Sequence, residues 1–242
     1  MKFVLLCPRR GAEVLAAEYS DFLQFSGLTP ETLEQRPLES PQADLGDFTD
    51  VAGVFIGGSP FTITQPYESL WQEEISRKLS AFVAAQAASG EIPVFSACYG
   101  ASMLAHYLGG SVDSTYSESA GTSLVRLTDA GRDDPIVSAL PDEFTVLTGH
   151  KDSVITLPPG ATLLGTNEAC PVQLYRLGDV VWTSQFHPEM DSAAITRRLG
   201  FYEAEGYCDP AELEQTYASF HGADTAAVNG LLQRFVEFCQ QR

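Results

Sequence analysis

The stretch "PVFSACYGAS" (93–102) decides how the chain is read. An apolar run, "EIPVFSAC" (91–98), ends at Cys98; small residues and a glycine follow, then the helical pattern "ASMLAHYLGG" (101–110), stopped by Gly109-Gly110. The spacing predicts a buried strand that turns sharply into a helix at a cysteine. Ser96-Ala97-Cys98-Tyr99-Gly100 resembles in form the G-x-S-x-G elbow, with serine at its first position. A thiol held there leaves the sheet towards a helix N-terminus, which favours its thiolate. Taken alone, Cys98 fits an inert core thiol better, as most free cysteines are.

Working outward, "KFVLLCP" (2–8) and "VAGVFIGGSP" (51–60) are further short apolar runs bounded by turn formers, and both read as buried strands. Between the second and third strands, Leu70, Ile75, Leu79, Phe82 and Val83 recur at mostly helical spacing, predicting a helix over 68–88. Alternation of strand and helix implies an α/β fold with a mostly parallel central sheet flanked by helices, of flavodoxin-like type. The middle of the chain is denser in strands: "TSLVRLT" (122–128), "FTVLTGH" (144–150), "SVITLP" (153–158), "ATLLGT" (161–166), "VQLYRLG" (172–178) and "VVWTSQF" (180–186). Their short connections predict an added antiparallel region. From about residue 190 the pattern returns to helix, with "AELEQTYASF" (211–220) and "AAVNGLLQRFVEFCQQ" (226–241) both amphipathic. Residues 1–242 read as one domain whose 190–242 portion is a helical C-terminal extension.

Composition narrows the function classes. Lys+Arg number 14 against Asp+Glu 32, a formal net charge of −18. Such a surface repels phosphate backbones and anionic lipid, so neither nucleic acid nor a membrane is an expected partner. No apolar run approaches the ~18 residues of a membrane span, and the run at the N-terminus is shorter than the roughly 7–15 of a signal-peptide core. The expected location is cytoplasmic. Five cysteines (7, 98, 170, 208, 239) without a CxxC pair point to reduced thiols, and four histidines without paired ligand spacing to no metal.

Two further stretches carry chemistry. In "WTSQFHPEM" (182–190) a strand ends before His187-Pro188-Glu189. His187 and Glu189 are two apart, so in extended backbone both side chains leave by one face, where the carboxylate can orient the imidazole. In "FIGGSP" (55–60), Gly57-Gly58 let the backbone approach a ligand closely. An amide of this turn and that of Tyr99 would together make an oxyanion hole. Each feature also has a plain reading as a strand-end turn. His150 in "TGHKDSV" (148–154) is weighed equally as a site residue or a loop residue; His106 reads as packing, His221 has no evident partner, and Asp133-Asp134 before Pro135 reads as a solvated turn.

In this order and spacing, "GVFIGGSP", "PVFSACYGASMLAHYLGG" and "QFHPE" together resemble the class I glutamine amidotransferase family over about residues 48–190. Cys-Tyr-Gly and "TGHKDSV" are similar to the amidotransferase part of GMP synthases, here as a stand-alone chain. The resemblance implies Cys98 as nucleophile on the side-chain amide of glutamine, His187 as its base and then acid, and Glu189 as the orienting carboxylate. It implies Gly58 and Tyr99 amides as oxyanion donors, with Gly57, Gly100, Ser102 and Gly121 near the substrate. No cofactor is implied. The chain departs from the family at Ala101-Ser102, where relatives carry a hydrophobic residue and then a substrate-lining glutamine, and "SESAGTS" (117–123) matches the substrate-cradling segment only loosely. Residues 190–242 hold no Ser-Gly-Gly-x-Asp-Ser phosphate loop, so no ATP use is expected of this chain. Ammonia would then pass to an unidentified acceptor or a separate synthetase subunit. Two alternatives stand beside this: a hydrolase of another γ-glutamyl amide or peptide, and a non-catalytic regulatory subunit. A homodimer is a further expectation.

Overall fold

The computed structural model describes residues 1–66, 70–203 and 206–242. A nine-stranded sheet runs through it. Its first half is parallel: β2 (Leu33–Pro37), β1 (Lys2–Cys7), β3 (Val51–Ile56), β4 (Val94–Ala97) and β11 (Val181–Ser184) lie side by side in that order. β1, β4 and β11 are buried almost throughout, which is why they read as continuous apolar runs. Beyond β11 the sheet continues antiparallel through β10 (Leu174–Leu177), β9 (Ala161–Thr166), β6 (Glu118–Leu127) and β7 (Glu143–His150). β5 (Ser111–Asp113) and β8 (Ser153–Thr156) form a separate antiparallel pair. The mixed sheet and its antiparallel addition match the expectation.

Helices α1 (Ala12–Ser26), α2 (Leu70–Ser89), α3 (Tyr99–Tyr107), α4 (Asp129–Arg132), α5 (Ser192–Gly200), α6 (Leu213–Phe220) and α7 (Ala226–Gln240) complete the fold. The start of the helix expected over 68–88 lies outside the described residues. The sequence assigned nothing between β1 and β3, yet α1 and β2 lie there. α1 buries Glu18, Asp21 and Ser26 with its apolar residues, which breaks the periodicity, and β2 is a half-exposed edge strand, LEQRP, with no alternation.

α7 is part of the core rather than an appendage. Its Phe235 ring lies 5.0 Å from Phe55, 5.9 Å from Phe95 and 6.3 Å from Trp182, so α7 covers one face of the parallel half. Among the described residues no helix is long and apolar enough to cross a membrane.

Two readings of single residues are corrected. His106 is exposed, edge-on to Tyr107, rather than packed inside. Asp134 is not a solvated turn residue: it is 2% exposed. Its Oδ1 accepts from the Ile136 and Val137 amides (3.0 Å each) and from Trp182 Nε1 (3.1 Å), while Arg176 Nη1 donates to Oδ2 at 2.8 Å. The two amides are local, but Arg176 and Trp182 come from β10 and β11, far along the chain, so no local signal reports the burial. Removing the carboxylate strands buried donors and the Arg176 cation. Asp134→Ala is expected to cost about 3 kcal/mol or more, lowering Tm by roughly 6–12 °C. A thermal melt within 2 °C of wild type, a shift of about 1 kcal/mol or less, would contradict this.

Candidate active site

Cys98 sits where β4 gives way to α3. Its amide donates to Ser184 O (2.7 Å), continuing the β4–β11 ladder, and its carbonyl accepts from Ala101 N (2.9 Å), opening the helix. Between these bonds the backbone takes φ 53°, ψ −99°, a conformation that disfavours side chains. The turn is crowded as well: a Cβ on Gly100 would lie 1.6 Å from Ser96 Oγ. The Tyr99 hydroxyl lies 2.7 Å from Ser76 Oγ, tying the start of α3 to α2.

β11 ends beside this elbow and delivers His187. Its amide donates to Leu147 O (3.0 Å), and Nδ1 lies 2.7 Å from Glu189 Oε1. Asn229 of α7 fixes the turn by donating to the carbonyls of both Pro188 and Met190 at 2.8 Å. Burial alone would pull the His187 pKa down; the Glu189 carboxylate and the Cys98 sulfur outweigh it and lift the pKa from 6.5 to about 10. Burial pushes Glu189 up, but the His187 and Arg198 cations prevail and hold it below its ordinary value. The arrangement is therefore poised as a charged imidazolium–carboxylate pair facing the Cys98 sulfur.

Gly58 closes the group. A Cβ there would lie 3.1 Å from His187 Cε1 and 3.6 Å from Cys98 Cβ, so a side chain would crowd the site. Arg9 Nε donates to Gly58 O (3.0 Å), and Arg9 Nη2 lies 2.9 Å from Glu18 Oε1. Arg198 extends this buried charge network, with Nη2 donating to Asp21 Oδ2 at 2.8 Å. Sequence reading missed Arg9, Glu18, Arg198 and Asn229. One signal existed: Arg9 lies just past the carboxyl end of β1, where parallel sheets gather functional groups.

Two cavities open at Cys98. The smaller, about 260 Å³, is lined by Tyr99, Ser102, His150, Lys151, Asp152 and Gln185 among others; the larger, about 480 Å³, includes His187. Of the residues expected at the site, Cys98, His187, Glu189, Gly58, Tyr99 and Ser102 come together, with His150 beside them. Gly57, Gly100 and Gly121 line neither cavity: Gly57 packs against the Glu18 carboxylate, Gly100 against Ser96, and Gly121 pairs with Thr148 in the β6–β7 ladder.

Among the described residues, Glu118, His150 and Cys170 offer ligand atoms within 4.8 Å of one another. Their hydrogen bonds are already made. His150 Nε2 lies 2.9 Å from Glu118 Oε2 and Nδ1 lies 2.8 Å from Asp152 O, while Glu118 also accepts from Ser123 Oγ and Gln173 Nε2. Burial, with Glu118 nearby, pushes the Cys170 thiol up to about 12, so it is protonated at neutral pH. This is a closed polar cluster behind the smaller cavity.

Fold and site define an α/β protein in which a cysteine elbow faces an imidazole–carboxylate pair across the carboxyl ends of parallel strands. Within that class, the chain belongs to the glutamine amidotransferase class-I family, whose model matches residues 31–202. It is 31% identical over 157 residues to a GMP synthase (glutamine-hydrolyzing) of Porphyromonas gingivalis, covering 64% of this chain and 28% of that protein. Against the Bacillus subtilis protein of the same name it is 26% identical over 179 residues, covering 74% and 30%. The chain thus spans less than a third of the length of these two relatives. A glutamine amidotransferase of Thermotoga maritima shares the fold over 100% of this chain and 99% of its own (TM-score 0.72, 23% identity). One from Methylobacillus flagellatus does so over 98% and 95% (TM-score 0.69, 19% identity).

Proposed function

We propose that the chain hydrolyses the γ-carboxamide of glutamine through Cys98. The observation that carries this reading is the strained, buried Cys98 elbow facing an imidazole held 2.7 Å from a fully buried carboxylate. With its proton held on the His187 imidazolium, Cys98 attacks the amide carbon as thiolate. The Gly58 and Tyr99 amides receive the developing oxyanion. His187, oriented by Glu189, protonates the leaving nitrogen, and ammonia departs. Water, giving a proton to His187, then attacks the γ-glutamyl thioester, releasing glutamate and restoring the thiolate–imidazolium pair. The glutamyl portion occupies the smaller cavity, where Ser102 Oγ and Gln185 Oε1 are buried without a partner among the described residues. Ammonia is passed to an acceptor held by a separate synthetase, as expected from the family.

A chloroketone analogue of glutamine tests the reading. The expected result is one covalent adduct per chain, mapped to Cys98 by peptide mass spectrometry, with glutamine protecting. Labelling spread over the other cysteines, or none at all, would sink it.

A further inference from the structure

Cys98 faces two spaces, and they differ in chemistry. The smaller offers unpartnered polar atoms, suited to the amino-acid end of a glutamyl group. The larger is walled by Pro60, Met190, Ile195, Leu199 and Tyr202, mostly from α5 and its flanks. His187 lines the larger space and not the smaller. The nitrogen that leaves the tetrahedral intermediate takes its proton from His187, so the leaving group departs into the larger space. Ammonia is polar and no bigger than water, and gains nothing from walls made of Pro60, Met190, Ile195 and Leu199. Two cations, Arg9 and Arg198, also line it, each paired with a carboxylate behind the wall, and among the described residues no carboxylate lines the space itself. Such a wall accepts an alkyl or aryl group and rejects a second ammonium.

We infer that, besides glutamine, the chain takes γ-glutamyl amides of apolar amines and turns them over faster, with the amine substituent seated against Leu199, Ile195 and Met190. This rests on the reading of Cys98 as nucleophile. The Cys98 Sγ–carbon bond forms as the carbon–nitrogen bond breaks, and the imidazolium proton goes to the departing amine. Water then gives a proton to His187 as it adds to the thioester carbon, and the sulfur–carbon bond breaks to return the thiolate beside the imidazolium. No oxidant or reductant takes part.

The test is a substrate panel on the full chain: glutamine, γ-glutamyl ethylamide, γ-glutamyl anilide and the γ-glutamyl amide of 1,4-diaminobutane. The ethylamide is expected to exceed glutamine in kcat/KM by about tenfold or more, and the diamine derivative to fall about tenfold or more below the ethylamide. An anilide is a more reactive amide in itself, so the decisive quantity is a ratio. Leu199→Trp, which fills the larger space, is expected to lower the anilide-to-glutamine ratio about tenfold or more. Ile195→Phe should move it the same way, which keeps the test open if one variant does not fold. Glutamine as the best substrate, or an unmoved ratio in a folded variant, would overturn the inference while leaving glutamine hydrolysis in place. No turnover of any compound together with no chloroketone adduct at Cys98 would instead overturn the reading beneath it.

Discussion

Replacing Cys98 by alanine is expected to lower amide hydrolysis by about 10⁴-fold or more, with no adduct from the chloroketone. The thiol supplies the atom that attacks the amide in the proposed reaction, and no other cysteine lines either cavity at the elbow. The same position makes an opposite prediction for stability. Cys98 holds φ 53°, ψ −99°, a conformation that glycine adopts freely. Such strain costs of order 1–3 kcal/mol, and a buried thiol returns about 1 kcal/mol by packing. At the middle of that range the net gain is about 1 kcal/mol, so Cys98→Gly should abolish turnover and raise Tm by roughly 2–4 °C, measured by calorimetry. Residual turnover above about 1% of wild type in the alanine variant would remove Cys98 from its role. A glycine variant that melts lower would show that the elbow stores no strain.

How far the sequence disclosed this site depends on where each residue's partners lie. The Cys98 elbow was legible because its cause is local: an apolar strand, a sharp turn needing small residues, and a helix start all within 93–102. The His187–Glu189 pair was legible for the same reason, two residues apart on one face. Glu18 and Asp21 were not. They lie on the buried face of α1, and Arg198, which answers both, is 177 residues from Asp21. On the page of sequence they interrupt a helix; in the fold they steady the ground under Glu189 and Gly58. Asp134 misled for the same physical reason, since Trp182 and Arg176 neutralise and bury it. The α5 wall gave no signal either, because its apolar residues look like any amphipathic helix until the cavity they line is known.

Glu189→Gln is expected to lower kcat by about 10³–10⁴-fold, because the imidazole loses both its orientation and the anion that stabilises its charged form. The variant also has a signature in pH that a merely structural change would lack. In the wild type His187 is lifted to about 10, above its ordinary 6.5. A raised pKa means that the folded state gains from protonation: the stabilisation is full below about 6.5 and is lost as pH rises through about 10. The acid form of His187 protonates the leaving group, so kcat/KM should stay level from neutral pH to about 9 and fall only as pH passes about 10. In Glu189→Gln the leading influence left on the ring is burial, which lowers it, so the falling limb should move down by more than one pH unit. Stability should also drop at neutral pH by about 3 kcal/mol, since the buried His187 and Arg198 cations lose a shared carboxylate. The measurements are kcat/KM profiles from pH 6 to 10.5 and denaturant melts at pH 7. An unshifted limb, or a kcat within about tenfold of wild type, would show that Glu189 neither charges nor orients His187.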